Sequence, residues 1–81
     1  MLKLYQTEWC PYCARVRARM CDLGITYINV NVPRNKADRK ELMEVSGQAG
    51  VPTLVTDDGR VIADDDDAII AYLNERFSDG G

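Results

Sequence analysis

Cys10 and Cys13, three residues apart in the run Trp-Cys-Pro-Tyr-Cys, are the side chains best equipped to do chemistry. An apolar strand pattern precedes them and a helical pattern follows, so both sulfurs fall where a strand turns into a helix. At that point the unpaired N–H groups of the first helical turn, together with the positive end of the helix dipole, favour a thiolate over a thiol. Such surroundings take a cysteine from a pKa of about 8.5 down to about 3.5–7.5. Cys10, at the start of the helix, is expected to receive most of this effect. Cys13, a turn further in, is expected to keep its proton longer. The asymmetry predicts that Cys10 attacks a disulfide and that Cys13 then displaces the product by closing the intramolecular disulfide. Pro11 suits the opening of a helix, since it has no N–H to leave unpaired.

Other uses of the pair fit less well. A disulfide across so short a loop constrains the unfolded chain little. With three cysteines and no histidine, a tetrahedral zinc site would need a carboxylate or a second chain. Redox chemistry is therefore the expectation, with no metal. The formal charge of −3 argues against nucleic acid as the main partner. The ten Lys and Arg are scattered and form no basic stripe. Eighty-one residues are expected to make one domain, 1–81, around one core. Met1 to Tyr5 is too short and polar for a signal peptide, and no apolar run approaches a membrane span. A reducing cytoplasm is the expected setting, where paired cysteines serve as a working redox centre more often than as a staple.

The elements that position the pair follow in order. Leu2 to Gln6 reads as a strand that delivers the chain to the cysteines. From Cys13 to Leu23, Val16, Met20 and Leu23 recur at the spacing of a buried helix face, and Gly24 is the stop. Arg15 and Arg17 lie off that face, either as solvated residues or as a source of positive potential around Cys10. Cys21 reads as a small packing residue, with regulatory oxidation or an intermolecular disulfide as the other use. Ile25 to Val32 alternates as a second strand, parallel to the first because a helix intervenes. After Pro33, Asn35 is expected to cap a helix whose apolar face is Leu42 and Val45 and whose end is Gly47. Pro52 opens a third strand, and the Val51–Pro52 bond is a candidate for the cis isomer. Asp57 to Arg60 form a hairpin turn into a fourth strand, Val61 to Ala63. A last helix runs from Asp67 to Phe77, capped from within Asp64–Asp67, and Ser78 to Gly81 are expected to fray. The order is β-α-β-α-β-β-α.

Cys10-Pro11-Tyr12-Cys13 followed by Arg15 and Arg17, then Ser46-Gly47-Gln48 ahead of Val51-Pro52, then Asp66-Asp67 opening the last helix, resemble the glutaredoxins over essentially the whole chain. The resemblance implies an α/β thioredoxin-like fold, with a four-stranded mixed sheet flanked by three helices. It implies a thiol–disulfide oxidoreductase with glutathione as co-substrate and disulfide-containing proteins as partners, acting as a monomer. Its potential would lie in the range of that family, about −200 to −230 mV. It makes Cys10 the nucleophile and Cys13 the resolving thiol. Tyr12 lies beside the bound tripeptide, Val51 before the cis-Pro52 pairs with its cysteinyl backbone, Gln48 meets its glycine carboxylate, and Asp66 and Asp67 receive its γ-glutamyl end.

Three positions depart from that pattern. Thr7 stands where many glutaredoxins carry a lysine, Gly50 where a threonine is common, and Ala63-Asp64 where a Gly-Gly pair is usual. Trp9 resembles the thioredoxins, either as a docking surface for protein disulfides or as a packing residue. Two alternatives stay open: a redoxin reduced by a flavoprotein reductase and serving an enzyme such as ribonucleotide reductase, and a dimer that holds an iron–sulfur cluster through Cys10. The tail, Ala68 to Leu73 after acidic residues, also looks like the close of a glutathione transferase N-terminal domain.

Overall fold

Both faces of the first strand are apolar or aromatic, which requires cover on each side of the sheet. In the computed structural model, which describes residues 1–77, strand β1 (Lys3–Gln6) points Leu4 to one core and Tyr5 to another. Helix α1 (Pro11–Asp22) returns the chain to β2 (Ile28–Asn31), which pairs parallel with β1, Lys3 opposite Ile28. A 3-10 turn (Lys36–Asp38) and helix α2 (Lys40–Ser46) lead to β3 (Thr53–Val55). Strand β3 runs antiparallel to β1 and forms a hairpin with β4 (Val61–Ala63), and helix α3 (Asp66–Arg76) follows. The sheet order is β2-β1-β3-β4. This is an α/β thioredoxin-like fold, with the expected element order. Among the described residues, no helix is long and apolar enough to cross a membrane.

The larger core joins Leu2, Leu4, Leu54 and Ile62 of the sheet side to Val16 and Met20 of α1 and to Ile69 and Leu73 of α3. The smaller core, on the opposite face, is Tyr5, Val32 and Leu42, with Tyr5 Oη donating to Glu41 Oε2 at 2.7 Å.

Several boundaries differ from the sequence expectation. Strand β2 starts at Ile28, because Ile25 and Tyr27 leave the ladder to pack against the larger core. Helix α1 opens at Pro11, as expected, while α3 starts one residue earlier than expected, at Asp66. The helix expected after Pro33 is broken. Asn35 caps only the 3-10 turn, its Oδ1 accepting from Ala37 N–H at 3.0 Å, and α2 begins after Arg39, whose ψ of 59° is not helical. In the shortened helix Leu42 is the buried residue, and Val45 is 38% exposed and contributes no buried face. Gly47 closes α2 at φ +74°, a conformation natural to glycine. Cys21 is exposed on α1 and is not a packing residue, the buried stripe being Cys13, Val16 and Met20. The expectation for Ser78 to Gly81 lies outside the described residues.

Candidate functional site

Cys10 is the N-cap of α1, with extended backbone and a carbonyl that accepts from Ala14 N–H at 3.0 Å. No side chain caps this helix, and Pro11 occupies its first position. The Tyr12 and Cys13 N–H groups therefore have no partner within the helix and are available to an anion at its start. Cys10 is partly exposed, whereas Cys13, one turn on, is fully buried. Burial pushes the Cys13 thiol up to about 11; the hydrogen bond and charge of Cys10 push the same way, while the backbone at Thr7 and the Arg17 charge oppose. The pair is thus divided into a sulfur that substrates reach and a protonated sulfur behind it.

The register of the sheet brings a second loop to this point. Tyr5 pairs with Thr53 across the antiparallel β1/β3 ladder, so the residues after β1 run alongside those before β3. Those are Val51 and Pro52, joined by a cis peptide bond. Tyr12, Val51, Pro52, Asp64 and Asp66 line one cavity of about 180 Å³ at this junction. Tyr12 is 59% exposed at its rim.

Gln48 and Asp67 do not line that cavity. The Gln48 amide is folded into its own loop, donating to Ser46 Oγ at 2.7 Å and Thr53 Oγ1 at 3.1 Å while its oxygen accepts from Gly50 N–H. Asp66 and Asp67 are both held by Arg15, at 2.5 and 2.8 Å. Asp65, not its neighbours, is the N-cap of α3, accepting from Ala68 N–H at 3.0 Å. Arg17 donates to the Gln6 side chain and to the Thr7 carbonyl, with Glu8 at 3.7 Å. Both guanidiniums are engaged by these acceptors, and the Arg17 charge also acts on the Cys13 thiol.

Two residues near the site escaped the sequence reading. Arg39 is buried, and its guanidinium donates to the carbonyls of Pro33 (2.7 Å), Ala49 (2.8 Å) and Arg34 (3.2 Å). It ties the β2–α2 loop to the loop that carries Val51–Pro52. A lone arginine in the polar run Asn35 to Lys40 gives no signal of this in sequence. Arg34, freed in the same loop, stacks its guanidinium 4.0 Å from the Trp9 ring centre, and Trp9 stays 55% exposed beside Cys10. Among the described residues no three His, Cys, Asp or Glu side chains converge in a manner that could hold a metal ion.

A four-stranded mixed sheet with a cysteine pair at the start of α1, set beside a cis-proline loop, defines a thioredoxin-fold redox protein. Comparison with known proteins narrows the class. The family model described as Glutaredoxin matches residues 2–62, and the chain belongs to the glutaredoxin family. It is 33% identical over 76 residues to an uncharacterized glutaredoxin-like 8.6 kDa protein in the rubredoxin operon of Clostridium pasteurianum, covering 94% of this chain and 100% of that one. It is 32% identical over 56 residues to glutaredoxin 3 of Escherichia coli, covering 69% and 68%. Among solved structures it is similar to glutathione transferase E6 of Drosophila melanogaster, with a TM-score of 0.83, 38% identity and 98% of this chain matched. An epsilon-class glutathione S-transferase from the housefly Musca domestica matches with a TM-score of 0.84 and 26% identity over 98% of this chain. The chain spans 36% of the length of each of these two transferases. The protein is therefore a glutaredoxin-like redox protein with a Cys10–Cys13 pair.

Proposed function

We propose that the chain, as one domain, is a thiol–disulfide oxidoreductase that reduces protein or glutathione mixed disulfides in the cytoplasm as a monomer. Cys10 thiolate attacks one sulfur of the substrate disulfide, forming a mixed disulfide and expelling the other sulfur as a thiolate. Cys13 then gives up its proton and attacks Cys10 sulfur, closing the Cys10–Cys13 disulfide and releasing the second substrate thiol. The substrate gains two electrons and the pair loses two. Two molecules of glutathione, or a similar small thiol, restore the dithiol and leave as their own disulfide.

The observation that carries this reading is the division of the pair into an accessible sulfur at a helix start and a buried thiol held near 11 behind it. In the bound complex Tyr12, Val51 and Pro52 line the tripeptide, and Gln48, Asp66 and Asp67 receive its two ends. Gln48 and Asp67 need to turn from their present partners to do so. Pro11 keeps the first turn open, and Arg15 and Arg17 fix the flanking loops. Membership of the glutaredoxin family and the names of the glutathione transferases support glutathione as the thiol.

The reading is tested by mixing reduced protein with oxidised glutathione and recording intact mass. Cys13→Ser is expected to trap one glutathione on Cys10, wild type to end as the intramolecular disulfide, and Cys10→Ser to do neither. Full disulfide-reductase activity in Cys10→Ser would overturn the assignment. A second reading, in which a flavoprotein reductase supplies the electrons, is favoured by the exposed Trp9 under Arg34. Such an indole face suits docking of a protein partner. Turnover with a thioredoxin reductase exceeding that with glutathione would select it.

A further inference from the structure

The cavity that Tyr12, between the two cysteines, shares with the proline loop is lined by two carboxylates in unlike situations. Asp66 is paired with Arg15 at 2.5 Å, so its charge is largely answered. Asp64 has no ion pair among the described residues. Its backbone is anchored to the proline loop: Asp64 N–H donates to the Pro52 carbonyl at 2.9 Å and to Thr53 Oγ1 at 3.3 Å. It also sits at φ +52°, which turns the chain sharply between β4 and α3.

The carboxylate then lies over Gly50. A Cβ at position 50 would meet Asp64 Cγ at 2.4 Å and its oxygens at 2.5 and 2.8 Å. The Asp64 side chain thus occupies the volume that a side chain at 50 would need. Absence of a side chain at 50 is what admits the charge to the cavity wall.

Cations that could offset it are engaged elsewhere. Arg15 serves Asp66 and Asp67, Arg17 serves Gln6, Thr7 and Glu8, and Arg34 covers Trp9. Position 7, next along the β1–α1 loop, is a buried neutral threonine. Arg39, held on the Ala49 carbonyl at 2.8 Å, is anchored one residue from Gly50 but forms no ion pair with Asp64. The cavity wall therefore carries a carboxylate without an ion pair among the described residues.

We infer that Asp64, placed over Gly50 in the cavity lined by Tyr12, Val51 and Pro52, is a specificity-determining residue. It favours disulfides bearing an ammonium or guanidinium close to the sulfur over those flanked by carboxylates. The inference rests on the thiol–disulfide reading above and narrows its substrate class to cationic mixed disulfides, such as a cysteine next to basic residues in a protein. The chemistry is unchanged: Cys10 thiolate forms the new S–S bond, the substrate S–S bond breaks, and the leaving thiolate takes a proton from water.

Three symmetric disulfides test it, because their halves are identical and either can enter the cavity. They are cystamine, with two ammonium groups, dithiodipropionate, with two carboxylates, and neutral hydroxyethyl disulfide. The rate of the first exchange at Cys10 in the reduced protein is measured for each and divided by the rate with a free small thiol. Attraction for one charge and repulsion of the other, at an exposed carboxylate, should give wild type a preference for cystamine over dithiodipropionate of about fivefold at low salt. Asp64→Asn, a residue that tolerates positive φ, should bring that ratio at least halfway to one while changing the neutral disulfide less than about twofold. In wild type about 1 M salt, with a screening length of about 3 Å, should have the same effect. A wild-type ratio near or below one, or a ratio that neither Asp64→Asn nor salt alters, would overturn the inference. Failure of Cys10 to exchange with any of the three would instead remove the thiol–disulfide reading beneath it.

Discussion

Raising the pH should turn the buried resolving thiol into a weakness of the fold. Cys13 has an ordinary pKa of 9.0 once unfolded and about 11 in the folded chain, first because burial disfavours the thiolate and then because of Cys10. The folded state holds the proton more tightly than the unfolded one. Its stabilising contribution is therefore complete below pH 9.0, declines above it and is gone once pH exceeds about 11. Two units at about 1.4 kcal/mol each correspond to a loss of about 2–3 kcal/mol across that window. This is a large share of the about 4–12 kcal/mol that a domain of this size is expected to have. The assay is urea unfolding of the reduced protein, without oxygen, at several pH values from about 8 to about 11, for wild type and Cys13→Ala. Lysines and tyrosines titrate in both proteins, so their difference isolates Cys13. That difference should move by about 2–3 kcal/mol in favour of Cys13→Ala as the pH rises. Cys10→Ser, which removes the neighbouring charge but leaves the burial, should keep the larger part of the wild-type loss. Stability curves for wild type and Cys13→Ala that stay parallel from about pH 8 to about 11 would refute the reasoning.

Arg39→Met should lower stability by about 2–3 kcal/mol, because three hydrogen bonds from a charged donor are only partly offset by the relieved desolvation of the guanidinium. A fall in Tm of about 10–20 °C in a thermal melt would register it, and Arg39→Lys should not restore it, lacking the planar fork. On helix α2, Leu42→Ala should cost about 2–5 kcal/mol. Val45→Ser should stay within about 0.5 kcal/mol, since only Leu42 is buried. Urea midpoints of the two variants make the comparison.

Periodicity was enough to read the order of elements, because both apolar faces of the sheet and the stripes on α1 and α3 are strong local patterns. Cys10, Cys13 and Pro52 were legible for the same reason: their chemistry depends on residue type and on short spacing. What could not be read depends on contacts between distant residues. The sequence placed a cap somewhere within the aspartates from 64 to 67 without saying which, and the structure gives Asp64 a positive φ, Asp65 the cap, and Asp66 and Asp67 a shared arginine from another helix. Arg39 breaks the expected helix because its guanidinium reaches three carbonyls in two loops, a requirement that helix propensity does not express. Arg15 was expected to be solvated or to act on Cys10, and only the packing of α1 against α3 reveals its partners. Cys21 was read as a packing residue although it lies off the apolar face, and the buried stripe of Cys13, Val16 and Met20 leaves it exposed.

The overlap between a Cβ at 50 and the Asp64 carboxylate couples the two positions, so that the order of changes there matters. A side chain introduced at 50 while Asp64 is still present must push that carboxylate off the wall, coupling a change of volume to a change of charge. Shortening 64 to glycine first removes the atoms that a Cβ at 50 would meet and suits the positive φ there, after which threonine at 50 displaces no charge. Asp64 is exposed, so its carboxylate can swing aside: the first route moves the charge off the wall, the second removes it before the space is filled, and both end in the same pair of residues.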